Sequence, residues 1–388
     1  MSPRPLADIA AEAGLERIHI LAWRDLLDDE AGGSEVHAAR VAAAWADAGL
    51  DVTMRTSSAA GHPAYSFRDG YRVIRKSGRY AVFPRAALSG LLGRTGPRDG
   101  LVEVWNGMPF FSPLWARSPR VVVLHHVHAE MWGMVIKPAA LARVGELIEF
   151  RLAPPVYRRS RIITLSESSR NEIVELLGMR PDQIEVIPPG VDDKFSPGAV
   201  RSPVPLVVAV GRLVPVKCFD RLVDVLVGLR RTHPTLEAVI VGEGYERPAL
   251  EAQIRAHGAQ DWLRLAGRLS DDELIDLYRR AWVLTSASVR EGWGMTITEA
   301  GACGTPAVVT DIAGHRDAIA PAISGVLTNA LGPELDRVLR DERWRCELGA
   351  GAERRAEELR WDVTARRTLE TLAAEALVRS GSRRVTHT

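Results

Sequence analysis

Short apolar runs recur along the chain, each followed after a polar or glycine-containing gap by residues with apolar positions at helical spacing. Residues 17–23, Arg-Ile-His-Ile-Leu-Ala-Trp, form the first run. Continuous apolar runs bounded by turn residues suit strands buried on both faces of a parallel sheet. Residues 50–54, 101–105, 120–124 and 161–165 read the same way, and 184–191 closes the first half. In the second half the runs are 206–210, 237–241, 281–284 and 306–310, with 262–270 following the second of them. Between the first two runs, Val36, Ala39, Val41 and Trp45 predict a helix over 34–48 that stops at Gly49. Ser166 opens a capped helix, Ser270-Asp-Asp-Glu273 is a capping box for a helix through Tyr278, and 296–303 reads as a helix beginning past two glycines. The tail from Glu334 is helical and charged.

Alternating strands and helices over 388 residues predict two α/β domains, each with its own core. Pro188, Pro189, Pro197, Gly198, Pro203 and Pro205 accumulate between the halves as a linker would. The expected organisation is a flexible N-terminus over 1–14, a first domain over 15–195, a linker over 196–205, and a second domain over 206–362. A C-terminal helix and tail over 363–388 is expected to return to the first domain, with 363–378 as its packing segment.

Composition narrows the function. Fifty basic residues balance forty-nine acidic ones, which gives no footprint for nucleic-acid binding. Residues 1–14 hold no apolar core of signal-peptide length, and no window reaches the roughly 18–20 apolar residues of a membrane span. Cys218, Cys303 and Cys346 are odd in number and widely spaced, so a reducing cytoplasm is the expected setting. From Tyr71 to Arg98, arginines alternate with apolar residues. That stretch reads first as a solvated face with long side-chain stems lying along it. Its second reading is peripheral contact with the inner face of a membrane, where a lipid-linked acceptor would be met.

Candidate chemistry clusters where strands end. Gly292 and Gly294 occupy a strand-to-helix turn, where a backbone without side chains admits an anionic or hydroxyl-rich ligand to a helix start. Glu291 and Glu299 flank it; ionised carboxylates accept pairs of sugar hydroxyls, although Glu299 also suits a helix dipole. Arg212 and Lys217 project from the loop after 206–210, placed to neutralise a diphosphate or simply to face water. Gly242-Glu-Gly244 is a further glycine turn, and Gly32-Gly33-Ser34 follows the first strand without forming a G-x-G-x-x-G fingerprint. His125-His126-Val127-His128 ends another strand, and no carboxylate or cysteine spacing completes a metal set there.

Glu291-Gly-Trp-Gly-Met-Thr-Ile-Thr-Glu299 followed by Ala300-Gly-Ala-Cys-Gly-Thr-Pro306 resembles the E-G-F-G-x-x-x-x-E-A-x-A-x-G-x-P signature of glycosyltransferase family 4. Gly211-Arg212 through Lys217 is similar to that family's G-R-x-x-x-x-K segment, and Gly32-Gly33-Ser34-Glu35 to its G-G-x-E loop. Trp293 stands where Phe is usual, Thr285 where Pro is common, and Asp317 where Glu is usual. The resemblance spans roughly the whole chain. It implies an α/β GT-B fold, two Rossmann-like doubly wound domains facing across a cleft. It also implies a retaining hexosyltransferase that moves a sugar from a UDP- or GDP-sugar donor to an acceptor hydroxyl, with no metal or other cofactor. The resemblance assigns Arg212 and Lys217 to the donor diphosphate, Glu291 to the donor sugar and Glu299 to the ribose. It gives Gly33, Gly242, Gly292, Trp293, Gly294 and Met295 to donor contacts, and the backbone of Arg268 and Leu269 to the base. One histidine after 120–124 meets a sugar hydroxyl near the reacting carbon, with His125 favoured and His126 the alternative. Competing readings are a sugar-nucleotide-binding module without catalysis, a dinucleotide oxidoreductase, which the missing fingerprint disfavours, and a phosphorylase of the same architecture.

Overall fold

A computed structural model describes residues 4–129, 131–135, 138–198 and 200–385. Two compact units result: Met1–Gly190 with Trp361–Thr388, and Val191–Arg360.

The first unit is built on strands β1 (Arg17–Leu21), β2 (Asp51–Thr56), β3 (Tyr65–Arg68), β4 (Tyr71–Arg75), β5 (Gly100–Trp105), β6 (Arg120–Leu124), β7 (Arg161–Thr164) and β8 (Ile184–Val186). Their order is β3-β4-β2-β1-β5-β6-β7-β8, parallel except for β3 against β4. Alternation sends Ile18, Ile20, Val52, Met54, Val121 and Val123 to one face, where they pack with Trp45, Leu369 and Leu372. Val122 and Leu124 meet Trp105 and Tyr157 on the other. The second unit carries β9 (Leu206–Val210), β10 (Glu237–Val241), β11 (Leu263–Gly267), β12 (Val283–Ser286), β13 (Ala307–Thr310) and β14 (Gly325–Thr328). Their order is β11-β10-β9-β12-β13-β14, all parallel. Counted from β9 this is the doubly wound order three-two-one-four-five-six, in which the winding direction reverses between β9 and β12.

Several boundaries differ from expectation. Within 1–14, Leu6–Ala13 is a helix with Ile9 and Ala10 buried, because Gly14 turns the chain at φ 65° and lets Leu15 enter the core; residues 1–3 lie outside the described residues. Residues 191–198 and 200–205 are docked on the second unit. Arg279 Nε donates to Ser196 O at 2.7 Å, Trp282 Nε1 to Ser202 O at 2.8 Å, and Arg201 Nη1 to Ala281 O at 2.6 Å. Residue 199 of the expected linker lies outside the described residues. The division therefore falls after Gly190, not after 195. The C-terminal helix runs Trp361–Val385, longer than 363–378, and joins the first unit; residues 386–388 of the tail lie outside the described residues. The β3–β4 hairpin was not expected. Asp69 and Gly70 both have positive φ, 44° and 80°, as a two-residue hairpin turn requires.

The basic-apolar stretch also resolves differently. Arg75 is buried and paired with Asp25 at 3.2 Å, while Arg79 pairs with Asp28 at 2.9 Å. The helix Val82–Leu91 and the residues flanking it leave Tyr80, Leu88, Leu91 and Leu92 exposed beside Arg85 and Arg94. No helix among the described residues is long and apolar enough to cross a membrane.

The C-terminal helix binds the first unit through Ala365, Leu369, Leu372, Ala373 and Ala376, all buried, and Trp45 Nε1 donates to Ala365 O at 2.9 Å. Leu369 is fully buried, so Leu369→Ala should lower stability by about 2–5 kcal/mol, transfer and cavity contributions together. Denaturant unfolding of the whole chain measures this, and an unchanged midpoint would show that the helix is not part of that core.

Candidate active site

In the second unit, the loops that follow strands at their carboxyl ends converge around the reversal point. Gly242 has φ 134°, and a Cβ there would lie 2.0 Å from Gly211 O, so the loops after β9 and β10 meet backbone to backbone. Only glycine permits that approach. The loop after β9 closes in a 3-10 turn, Pro215–Lys217, and Cys218 follows at φ 47°. Lys217 Nζ reaches across the reversal point to Glu291 Oε1, on the loop after β12. Ser288 Oγ donates to the same oxygen at 2.9 Å. Burial pushes the Glu291 carboxyl up, but the Lys217 charge, then His315 and the two hydrogen bonds, outweigh it and hold the group at about 2. Glu291 is therefore an ionised acceptor.

His315 was not expected here. It is buried on the loop after β13, and its Nδ1 lies 2.9 Å from Thr310 O, so Nδ1 carries the proton. Burial lowers its pKa, with Glu291 opposing. Gly294 has φ 96° and would place a Cβ 3.2 Å from the His315 ring, which packs this turn against that loop. The signal available in the sequence was position alone, a histidine past the end of another parallel strand. Asp317, noted for that loop, sits half-buried in the short helix His315–Ala318.

Met295–Ala302 is a helix entered from Gly294 in the left-handed region. Glu299 lies in its second turn, partly buried, and receives the Tyr278 hydroxyl at 3.3 Å. Burial pushes its carboxyl up to about 7; Tyr278 and Lys194 pull it down, and Asp271 and Asp192 add to the rise. The loop after β12 and the helix it enters thus hold two carboxylates in opposite conditions. Trp293 is buried, and among the described residues its Nε1 has no hydrogen-bond partner. Arg212 is half-buried on the β9 loop, while Arg268 is exposed and Leu269 half-buried after β11, two strands away.

The first unit arranges its own loop set. Gly33 is exposed at the first turn of the helix Gly33–Asp47. Glu35 bonds back to Gly32 N at 2.8 Å and pairs with Arg24 at 3.4 Å, so its carboxylate closes the loop. Asn106, after β5, donates to Ser34 Oγ at 3.0 Å. Buried Glu103 fixes the same β5 loop, accepting from Phe110 N at 2.6 Å, Ser112 N at 3.2 Å and the Tyr157 hydroxyl at 2.5 Å. After β6, His125 is buried and its Nε2 lies 3.2 Å from His37 Nδ1, whereas His126 is half-buried and stacks on His128. Glu149, in a π-helical turn Ile148–Leu152, holds this segment by accepting from His128 N at 2.8 Å, Ala129 N at 3.2 Å and Trp132 Nε1 at 2.8 Å. Among the described residues no group of three or more His, Cys, Asp or Glu is arranged to hold a metal ion.

Residues 192–350 match the family described as Glycosyl transferases group 1, and residues 31–195 match Glycosyltransferase Family 4. A D-inositol 3-phosphate glycosyltransferase of Kineococcus radiotolerans is 30% identical over 397 residues, 88% of this chain and 90% of that protein. The chain belongs to glycosyltransferase family 4. A protein of the same name from Frankia alni is 33% identical over 236 residues, 55% of this chain; that match spans 58% of the relative's length. Sucrose-phosphate synthase from Thermosynechococcus elongatus superposes with a TM-score of 0.77 at 20% identity, covering 96% of this chain and 99% of that one. Anabaena Alr3699/HepE in complex with UDP-glucose gives 0.70 at 18% identity, covering 94% and 99%. Both likenesses are of fold, the GT-B pairing of two parallel-sheet α/β domains.

Glu299 yields a test that needs no substrate. Its carboxyl rises from an ordinary 4.5 to about 7 on folding, so between those values the folded chain holds the proton more tightly. Stability then falls as pH rises from about 4.5 to about 7. Glu299→Gln should flatten this part of the profile in denaturant unfolding at pH 5 and pH 7; an identical slope in the variant would assign the effect elsewhere.

Proposed function

We propose that this protein transfers a hexosyl group from a nucleotide-sugar donor to an acceptor hydroxyl, retaining the anomeric configuration and needing no metal ion. The carrying observation is the Lys217–Glu291–Ser288 constellation at the strand reversal of the second unit. It places a cation and an ionised carboxylate beside a helix start, the position where open α/β sheets take nucleotides.

Lys217 and Arg212 would face the diphosphate, whose charge grows as the bond to the anomeric carbon breaks. The backbone N–H groups at Gly292–Met295 would share that load, doing the work a divalent cation does elsewhere. Glu291 would accept hydroxyls of the sugar. Glu299, with one donor already from Tyr278, would accept the ribose hydroxyls, and the backbone at Arg268 and Leu269 would meet the base. Gly242, which lets the loop after β10 press against the diphosphate loop, and Gly33, on the loop after β1, would make further contacts to the donor. His125 is assigned to a hydroxyl of the transferred sugar. Retention by double displacement needs a carboxylate free to attack carbon. Glu291 is engaged by Lys217 and Ser288, which favours a same-face displacement: the acceptor oxygen bonds to the anomeric carbon as the phosphate leaves, and a phosphate oxygen takes the acceptor's proton. The names of the relatives make a phosphorylated cyclitol the first acceptor to try, and the UDP-glucose complex of Alr3699/HepE makes UDP-sugars the first donors.

A thermal-shift panel of UDP, GDP, ADP and their sugars, with divalent cation or chelator, followed by transfer assays, tests this reading. One diphosphate should raise the melting point with or without metal, by linkage to the folded form. Lys217→Ala and Glu291→Ala should each lower turnover by about 10²–10³-fold or more. Wild-type transfer by either variant would remove the site assignment, and binding without transfer by the native chain would favour a binding module.

The same reading places the protein in the cytoplasm, with the helix Val82–Leu91 touching an anionic membrane. Exposed Leu88, Leu91 and Leu92 beside Arg85 and Arg94 support it. Vesicles containing phosphatidylserine should co-sediment the protein, and Arg85→Ala with Leu91→Ser should release it; equal binding to neutral vesicles, or none to either, would end this reading.

A further inference from the structure

His37 lies on the helix Gly33–Asp47, one turn beyond the Gly32–Gly33 loop, and is 2% exposed. Its Nδ1 is 3.2 Å from Nε2 of His125, which is 4% exposed. The rings meet edge to face, with centroids 5.1 Å apart at 87°. On its other side His37 packs against Trp361, the first residue of the C-terminal helix, at 5.8 Å. Both imidazoles are held between packed elements.

Burial lowers the His37 pKa to about 4 and, with the neighbouring His37 and His126, drives that of His125 well below its ordinary value. Near neutral pH each ring is uncharged, with one N–H and one lone pair. A hydrogen bond between His37 Nδ1 and His125 Nε2 uses one of each, since two N–H groups or two lone pairs would repel. The proton position on one ring therefore sets that on the other. The nitrogens left over, His125 Nδ1 and His37 Nε2, are both buried and have no hydrogen-bond partner among the described residues. A buried polar atom left in that state costs about 1–3 kcal/mol, a cost that a hydroxyl arriving at His125 Nδ1 would remove.

We propose that His37 is a positioning residue that occupies Nε2 of His125, ties the proton position of that ring to its own, and presents Nδ1, not Nε2, of His125 to a hydroxyl of the transferred sugar. This rests on the assignment of His125 given above. A residue behind a catalytic histidine acts chiefly by fixing the proton position and angle of the ring, more than by adding charge. A neutral partner suits this: a carboxylate in place of His37 would favour the imidazolium.

Amide substitution separates the nitrogens, because an Asn side chain places its amide near the Nδ1 position of histidine and Gln near Nε2. His37→Asn should keep the bond to His125 and most of the turnover. His37→Gln and His37→Phe should lose about tenfold or more in kcat with the donor KM little changed. At the other ring, His125→Asn should outperform His125→Gln. Imidazole ¹⁵N spectra of the labelled native chain report the balance of His125 tautomers, and His37→Phe should shift that balance. Thermal unfolding of each variant checks that it folds; if His37→Phe does not, the Asn and Gln pair carries the same comparison. A folded His37→Gln or His37→Phe with native kcat and an unaltered balance of His125 tautomers overturns the inference. Full transfer by His125→Ala would instead overturn the assignment of His125 itself, whereas loss of transfer there alongside active His37 variants would sink only the proposal about His37.

Discussion

Parallel strands buried on both faces have no exposed face on which to carry chemistry, and this constraint governs both units. Val207 to Ala209 in β9 and Leu101 to Val104 in β5 are buried, so polar groups able to meet a ligand are confined to the strand ends. In the second unit the reversal between β9 and β12 leaves the following helices on opposite faces and opens the sheet edge between their loops. Lys217 and Glu291 arrive there from loops some seventy residues apart in sequence and meet across the gap. Glycine at 242 lets the loops approach closely, and glycine at 294 turns the chain into the helix.

Electrostatics then separates two carboxylates that the sequence presents as a matched pair. Glu291 is desolvated beside a cation and stays ionised at about 2. Burial lifts Glu299 to about 7 against the pull of its hydrogen bond from the Tyr278 phenol. Bringing an ion pair out of water is costly and rarely repaid in stability, so a partly buried Lys217–Glu291 pair in the loops makes more sense as prepared polarity for a ligand than as a structural brace.

The first unit solves a different problem, holding loops still. Glu103 and Glu149 are buried carboxylates whose oxygens face backbone N–H groups, an indole and a phenol, and each fixes a loop that follows a strand. Glu35 does the same for the Gly32–Gly33 turn. His125 reaches its position through this framework, with Glu149 securing the following residues and His37 meeting its ring.

The sequence by itself determined most of the strands, though not β3, β4 or β14, several of the helices that follow them, the glycine loops, and the family to which the residues from Glu291 to Glu299 point. All of these are written in local periodicity and short motifs, which depend on neighbours close along the chain. It also carried the Asp69-Gly70 turn, overlooked because β3 is an exposed edge strand without a buried apolar run. Only the tertiary structure decided that 191–198 and 200–205 dock on the second unit, that residues 6–13 are helical and packed, that Arg75 is a buried partner of Asp25, and that His37 and His315 stand at the two sites. Each of those depends on which distant residue fills the space beside it. A buried charge or an imidazole takes its proton, its partner and its use from that neighbour, and nothing local in the chain specifies who the neighbour will be.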